Sequence, residues 1–370
     1  MYADDTNVEA LRDGLGGVDA VPVSVGAGSL NDIVKLAAHE LGRPYMSVAT
    51  AASVDGYTAF GAAITTGGYK RTMTCPAPRA LVADLDVLRS APAGMTASGY
   101  GDLLGKVTGG ADWILADALG VEPVNGPVWD LVQGPLKSSV GRPAELAAGD
   151  LEAMGGLVEG LVMSGLAMQA AGSSRPASGA EHQFSHLWEM EGLGHDRQPP
   201  LAHGFKVGVG SIAVAALYER VLARDLSALD IEAATAAWPS REEVERRVRA
   251  SHTTPGLDEA AVTETLAKYL DADQLGRRLE LLTGRWPALG QRLQAQLEPA
   301  GRLRDMLRAA GCPTGPEAIG LDRQALQATY HRAQMIRRRY TVLDLAAETG
   351  ILDQAVDELF GPGGFWALTA

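Results

Sequence analysis

Cysteine is scarce in this chain, since only two of its 370 residues are cysteines, Cys75 and Cys312. They lie far apart and outside any CxxC motif, which excludes a disulfide framework and fits a reducing compartment. Cationic side chains are also in the minority, because 32 Lys and Arg accompany 45 Asp and Glu for a formal net charge of −13. This balance argues against a surface that binds nucleic acid or an anionic membrane.

Targeting and membrane signals are lacking as well. The N-terminus is acidic and has no apolar segment like that of a signal peptide, and no apolar run reaches the roughly 18 residues that span a bilayer. A hydrophobic share of 46% with 21% charged residues is typical of a globular protein with a large core. We therefore expect a soluble, cytoplasmic protein without nucleic-acid or membrane partners.

An alternation of strands and helices occupies the first part of the chain. A buried strand is predicted over 20–25, and it ends in the glycine turn Gly26-Ala27-Gly28-Ser29, after which 31–41 has a helical pattern. This order can form a cradle for phosphate, although GxGS is shorter than GxGxxG and an ordinary turn is the alternative. Further predicted elements are strands over 45–49 and 80–84 and a hairpin over 59–74 that turns at Gly67-Gly68.

Polar side chains follow the second predicted strand. Thr50, Ser53 and Asp55 come directly after it, and ligands bind at the carboxyl ends of strands in open α/β sheets. The alternative is a turn in which Asp55 caps the backbone.

Helical patterns replace the strands from residue 94 onward, and they predict single helices over 101–118, 275–283 and 287–296 among others. This change predicts two domains, a Rossmann-like α/β domain over 1–93 and an all-α domain over 94–370. Leu151–Ala171 is rich in Gly, Ala and Met, so we interpret it as a core helix. Asp102 is placed at the start of the first long helix, where a carboxylate most often caps the helix.

Histidines are concentrated between residues 164 and 205, where four of the seven occur. His182 and His186 are one helical turn apart and point the same way. His182 could form a metal site with His203 and Asp102, because one carboxylate and two imidazoles leave a divalent ion an open position for catalysis. An accidental cluster in a polar helix-loop-helix is the alternative.

Several blocks of the chain resemble the sn-glycerol-1-phosphate dehydrogenases, a branch of the superfamily that holds iron-containing alcohol dehydrogenases, glycerol dehydrogenase and dehydroquinate synthase. These blocks are VGAGSLNDIVK, PYMSVATAASVDGYTA, ASGYGDLLGK, SGLAMQAAGSSRPASGAEHQFSHLWEM, HGFKVGVGSI and RRRYTVLDLAAETGIL. They run in the family's order from near residue 20 to near residue 350. The resemblance implies NAD(P)-dependent, metal-assisted interconversion of dihydroxyacetone phosphate and sn-glycerol 1-phosphate by a homodimer with a dehydroquinate synthase-like fold.

The resemblance also implies roles for individual residues. Zinc or nickel is expected at Asp102, His182 and His203. Catalytic roles are expected for His186, near the reacting oxygen, and for Asp55, which contacts the substrate hydroxyls. NAD or NADP is expected to contact Gly26, Gly28, Ser29, Asn31, Asp32, Thr50 and Ser53. The substrate phosphate is expected at Lys106 and Arg175. His195 has no counterpart in this scheme.

One departure from the family concerns the N-terminal region. Members carry a strand–helix–strand unit ahead of the block that begins here at Val25, whereas the opening residues of this chain resemble only the helix immediately before the glycine turn. The resemblance therefore predicts either a start codon assigned too late or a shortened protein with an incomplete cofactor cleft. Two other functions stay open, a glycerol or polyol dehydrogenase acting on an unphosphorylated substrate and a non-catalytic homologue that binds only a metal.

Overall fold

A computed structural model describes residues 3–66 and 69–368, with the backbone alone at 69–71. Its strands are β1 (Val23–Gly26), β2 (Met46–Ala49), β3 (Ala62–Thr66), β4 (Tyr69–Met73) and β5 (Ala80–Ala83). Three of them form a parallel sheet in the order β1-β2-β5, and β3 and β4 form an antiparallel pair. The predicted strands and hairpin are therefore confirmed, and Gly67-Gly68 lie outside the described residues.

Three helices accompany the sheet: α1 (Asp5–Gly16), α2 (Gly28–Glu40) and α3 (Leu85–Ser90). Helix α2 connects β1 to β2 and packs on β1 and β3. Because all three strands of the parallel sheet run the same way, the glycine turn after β1 and the Thr50 loop after β2 emerge at one edge. This is the edge at which ligands bind in open α/β sheets.

The two faces of the parallel sheet differ in an unusual way. The buried face carries Ser24 and Ser47, whose hydroxyls have no hydrogen-bond partner. The opposite face carries Val23, Val25 and Val82, which are 52%, 59% and 42% exposed. Side chains alternate between faces along a strand, so this sheet presents valines to the outside and serines to the inside.

The remainder of the described chain is helical. The longer helices are α4 (Ala93–Leu104), α5 (Lys106–Ala118), α6 (Gly126–Val140), α8 (Leu151–Ala171), α9 (Ala180–Met190), α10 (His203–Leu222), α12 (Arg241–Ser251), α13 (Leu257–Leu266), α14 (Ala272–Gln296), α15 (Ala300–Ala309), α17 (Arg323–Arg332) and α19 (Leu352–Phe360). Short helices lie between them: α7 (Pro143–Ala147), α11 (Ile231–Ala237), α16 (Pro316–Ile319) and α18 (Val342–Glu348). An α/β region followed by an α-helical region is the predicted fold class.

Two of the predicted helix boundaries are wrong. The pattern over 101–118 is not one helix, because α4 ends at Leu104 and α5 begins at Lys106. The pattern on either side of Pro287 is not two helices, because α14 continues through that proline. The predicted domain boundary at residues 93 and 94 falls in the first turn of α4, and it remains a prediction.

Helix α8 has the length and apolar composition of a membrane span, contrary to the expectation that no such segment exists. Half of its apolar window is buried inside the protein, and the helix packs on α6 and α4. Its glycines allow close contacts, since a Cβ at Gly160 would lie 2.6 Å from Leu103 Cδ2. These contacts are those of a core helix, the role predicted from its composition.

Candidate metal and cofactor site

Asp102, His182 and His203 lie together in the helical region. Each offers a ligand atom, and these atoms all lie within 4.8 Å of one another. Asp102 and His182 are buried, while His203 is partly exposed. One carboxylate and two imidazoles at this separation suit a divalent transition metal that keeps an open coordination position. The donor set therefore fits the metal that the sequence led us to expect.

Glycines allow the helices that carry these ligands to approach each other. A Cβ at Gly101 would lie 2.4 Å from the carbonyl oxygen of Gly204, and a Cβ at Gly204 would lie 1.8 Å from that of Ser98. The crossing of α4 and α10 thus requires glycine at both positions. It places Asp102 in the last turn of α4, so the prediction that Asp102 lies at a helix start is wrong.

Each histidine of the cluster contacts a second carboxylate through its Nδ1 atom. His182 Nδ1 lies 2.8 Å from Glu181 Oε1, and His203 Nδ1 lies 2.8 Å from Glu189 Oε1. Burial disfavours the charged imidazole of His182, but Asp102 and Glu181 outweigh this effect and raise its pKa. A metal ion at Nε2 of His182 would accordingly take the place of a proton.

Lys106 lies between two acidic side chains of the site. Its Nζ is 2.7 Å from Asp102 Oδ1 and 2.8 Å from Asp55 Oδ2. Burial disfavours the ammonium ion, but the attraction of Asp102 and Asp55 prevails and raises the pKa of Lys106. The same burial would raise the pKa of Asp102, yet Lys106 and then the histidines hold that pKa well below its usual range. The carboxylate of Asp102 is thus ionised.

Asp55 is held beside the cluster by further contacts. Its Oδ2 accepts a hydrogen bond of 2.8 Å from the Ser164 hydroxyl, and its backbone N–H donates to Asp102 Oδ2 over 3.1 Å. The loop after β2 therefore connects the edge of the sheet to the metal cluster. This position is compatible with a contact between Asp55 and substrate hydroxyls, which stays a prediction.

His186 lies on the same helix as His182. Its ring centroid is 5.8 Å from that of His182 and 5.9 Å from that of His203. Desolvation, followed by the nearby positive charge of Arg337, holds the pKa of His186 well below its ordinary value. The ordinary pKa of a histidine is near 6.5. At neutral pH the imidazole of His186 is therefore uncharged.

The glycine turn has the geometry of an anion cradle. Helix α2 begins at Gly28 directly after β1, so its first backbone N–H groups point out at the carboxyl edge of the sheet. A Cβ at Gly28 would lie 2.8 Å from Val54 Cγ2, which shows how closely the loop after β2 covers the turn. Gly26, Gly28 and Ser29 are therefore placed where a pyrophosphate could bind.

The other predicted cofactor residues differ from one another in burial and in hydrogen-bond partners. Asn31 is fully buried and its Oδ1 accepts from the Tyr45 hydroxyl over 3.2 Å, so the structure does not support a cofactor contact by this side chain. Asp32 and Thr50 are partly exposed at the same edge. Ser53 is buried, and its carbonyl oxygen accepts from the Ser98 hydroxyl over 3.1 Å.

The two predicted phosphate-binding cations have other partners. Arg175 is 2% exposed and donates to the carbonyl oxygens of Tyr340 and Asp112 over 3.1 and 2.7 Å, and it also pairs with Glu122. Lys106 is fully buried between its two carboxylates. Both cations thus have partners within the protein, and phosphate binding by either stays a prediction.

Four charged residues that contact or support the site were not predicted from the sequence. Glu181 and Glu189 contact the histidines, Lys206 Nζ lies 3.1 Å from Glu189 Oε1, and Lys35 supports the loop beyond Asp55. The ammonium group of Lys35 donates to the carbonyl oxygens of Gly56, Ala59 and Gly61 over 2.9, 3.0 and 3.0 Å. Glu181 could have been noticed because it directly precedes His182, but the other contacts join residues without a local motif.

Comparison with known proteins agrees with this architecture. A profile described as iron-containing alcohol dehydrogenase matches residues 2–92. A probable glycerol dehydrogenase from Sinorhizobium meliloti 1021 superposes over 96% of this chain and 83% of its own, with a TM-score of 0.59 and 16% identity. The parallel sheet followed by helices thus has the fold of the iron-containing alcohol dehydrogenases.

Two curated relatives narrow this class. Both are named glycerol-1-phosphate dehydrogenase, NAD(P)+. The one from Geobacillus thermodenitrificans is 34% identical over 88% of this chain and 71% of the relative. The one from Geobacillus stearothermophilus is 33% identical over 93% of this chain and 75% of the relative. The chain belongs to the glycerol-1-phosphate dehydrogenase family.

Proposed function

We propose that the protein interconverts dihydroxyacetone phosphate and sn-glycerol 1-phosphate with NAD or NADP in the cytoplasm. The observation that carries this proposal is the cluster of Asp102, His182 and His203. The Asp55 loop connects this cluster to the carboxyl edge of the parallel sheet, because its backbone N–H donates to Asp102. Membership of the glycerol-1-phosphate dehydrogenase family supports the substrate. We also propose that the protein is a homodimer and that its two domains meet near residue 93. Each site would bind a single phosphorylated triose.

The proposed roles follow from the contacts. Asp102, His182 and His203 would hold zinc or nickel, which supplies Lewis-acid polarisation of the substrate carbonyl when bound. The nicotinamide supplies the hydride. Gly26, Gly28 and Ser29 would position its pyrophosphate at the N-terminus of α2.

The remaining chemistry belongs to side chains near the cluster. Asp55 is ordered by Lys106 and Ser164, so its carboxylate is positioned to accept a hydrogen bond from a substrate hydroxyl. His186 is uncharged at neutral pH, and a neutral imidazole can accept a proton at one ring nitrogen while it releases one from the other. We therefore assign His186 a proton-relay role between solvent and the reacting oxygen.

A metal-stripped and reloaded enzyme tests the function. Dihydroxyacetone phosphate and unphosphorylated dihydroxyacetone are each offered with NADH and with NADPH, after reloading with Zn²⁺ or Ni²⁺. We expect oxidation of the reduced cofactor with the phosphorylated substrate only in reloaded protein. A kcat/KM for dihydroxyacetone equal to or above that for its phosphate would instead favour a polyol dehydrogenase. The comparison is needed because Arg175 donates to backbone carbonyl oxygens and Lys106 pairs with Asp55 and Asp102.

A further inference from the structure

We propose that Glu181 and Glu189 are positioning residues that fix both histidines for metal binding and match the cluster to a divalent cation. This inference rests on the proposed metal site at Asp102, His182 and His203. It concerns two glutamates on α9 that would not touch the metal, the substrate or the cofactor.

The carboxylate partners of the two histidines determine their tautomers. A carboxylate can only accept hydrogen bonds, so the imidazole nitrogen that faces it must carry a hydrogen. Glu181 and Glu189 each lie 2.8 Å from an Nδ1 atom, which leaves Nε2 of each ring as the site for a metal. The Nε2 atom of His182 lies 3.5 Å from Asp102 Oδ1, on the side where the three ligand atoms converge. Such outer carboxylates orient metal-binding histidines and increase their basicity.

Each of the two carboxylates is held by several further contacts. Glu181 is fully buried and also accepts from the Gly179 N–H over 2.6 Å and from the Thr108 hydroxyl over 3.0 Å. Glu189 is 6% exposed, and the same oxygen that meets His203 lies 3.1 Å from Lys206 Nζ. Both glutamates are therefore fixed by partners other than the histidines, as orientation of a ligand requires.

The connected side chains around the histidines carry a net negative charge. The contacts link four carboxylates (Asp55, Asp102, Glu181 and Glu189) to two ammonium groups (Lys106 and Lys206). With neutral imidazoles this leaves two uncompensated negative charges in a buried region, where an uncompensated charge is costly. A divalent cation would neutralise the group, which neither a monovalent nor a trivalent ion would do.

Zinc affinity of the metal-stripped full chain tests the inference, with a chromogenic chelator as competitor. In Glu189→Gln the amide oxygen can still accept from His203, but the charge is lost, so we expect zinc binding to weaken by about tenfold. In Glu189→Ala the hydrogen-bond acceptor and the charge are both lost, and we expect zinc binding to weaken by about a hundredfold. Glu191→Gln is the matched control two residues along, since Glu191 pairs with Arg332, and we expect its affinity within about twofold of the wild type.

A second readout separates positioning from a general loss of structure. The ¹⁵N shifts of His203 in metal-free protein report which ring nitrogen carries hydrogen. We expect the Nδ1–H form in the wild type and in Glu189→Gln, and a mixture of tautomers in Glu189→Ala. For Glu181→Gln, the ¹⁵N shifts of His182 are measured in the same way, provided that thermal denaturation shows a folded protein.

The possible failures are distinguishable. Absence of zinc binding by the wild type would remove the metal site on which the proposed function depends. Normal zinc binding by the wild type together with affinities within twofold in both Glu189 variants would overturn the positioning role alone. An unchanged affinity ratio between Zn²⁺ and a trivalent lanthanide in Glu189→Gln would overturn the charge argument.

Discussion

The metal cluster and the parallel sheet differ in whether their buried polar groups have partners. Around the cluster, Asp55, Asp102, Lys106 and Glu181 are all buried or nearly so, and each has a partner of opposite charge or a hydrogen-bond donor. In the sheet, the hydroxyls of Ser24 and Ser47 are buried without a partner, while neighbouring valines face outward.

The difference shows where this sequence specifies its structure most strongly. A buried charge network with complete pairing is costly to disturb, because removing one member leaves another unpaired. A buried hydroxyl without a partner contributes little and even opposes folding. Substitutions in the cluster should therefore destabilise the protein, whereas comparable substitutions in the sheet should be neutral or stabilising.

The largest effect is expected at the helix crossing beneath the cluster. A Cβ in Gly204→Ala would lie 1.8 Å from the Ser98 carbonyl oxygen, which belongs to the backbone and cannot rotate away. We expect a loss of more than about 4 kcal/mol in the free energy of unfolding, or no folded protein. Gly284→Ala is the control, because Gly284 lies inside α14 with no heavy atom within 4 Å of the added Cβ. Urea denaturation should show a gain of about 0.5–1 kcal/mol for this control. Equal stability of the two variants would contradict the crossing described here.

The next effect is expected from Lys106→Met. Removal of the ammonium group leaves Asp55 and Asp102 buried without their shared partner. Breaking a buried ion pair in this way costs about 3 kcal/mol or more, and we expect this loss in metal-free protein. Added zinc should recover part of the loss, since the ion also compensates the carboxylates. If denaturation curves in the metal-free state match those of the wild type, the paired network is not a source of stability.

Much of the fold was predictable because its signals are local. The strand–glycine–helix order at 20–41 and the apolar composition of 151–171 depend on neighbouring residues. The division of 101–118 into α4 and α5 was not predictable, since it depends on Gly105, where a Cβ would lie 2.8 Å from Val207 Cγ1 of another helix. The continuation of α14 through Pro287 has a similar cause, because Trp286 and Leu289 are buried on either side of the proline.

The candidate site was predictable only in part. His182 and His186 share a helix face, and residue types alone suggested His203 and Asp102 as their companions. The family resemblance then assigned Asp102, His182 and His203 as the metal ligands. The partners of Arg175 could not be predicted, because they are carbonyl oxygens of Tyr340 and Asp112 that tertiary packing brings together. A sequence shows that an arginine is charged, but it does not show whether backbone carbonyl groups will surround that charge.

A smaller effect is expected at the boundary between the two regions. Lys35 belongs to α2 but donates to three carbonyl oxygens in the loop that follows Asp55. Lys35→Met leaves these carbonyl groups without their donor, and we expect a loss of about 2 kcal/mol in unfolding free energy. The KM for dihydroxyacetone phosphate should also rise, because the loop positions Asp55. Lys137→Met, at an exposed site on α6, should change stability by less than about 0.5 kcal/mol.

Two serine substitutions compare the regions directly. Ser47→Ala removes a buried hydroxyl that has no partner, so we expect unfolding free energy to stay constant or to rise by up to about 1 kcal/mol. Ser164→Ala removes a buried hydroxyl that donates to Asp55 Oδ2, so we expect a loss of about 1 kcal/mol. Losses of the same size in both variants would show that Ser47 has a partner in solution and that the contrast between the regions is false.

The smallest effect is expected on the outer face of the sheet. Val25 is 59% exposed, so Val25→Thr keeps the β-branched shape while it exchanges a methyl group that already contacts water. We expect a change within about 0.5 kcal/mol by urea denaturation. Val209→Thr in α10 is the matched control, because Val209 is fully buried and a hydroxyl there should cost about 1–3 kcal/mol. If the cost at Val25 instead approaches that at Val209 and falls on dilution, a second copy of the chain covers the valine face.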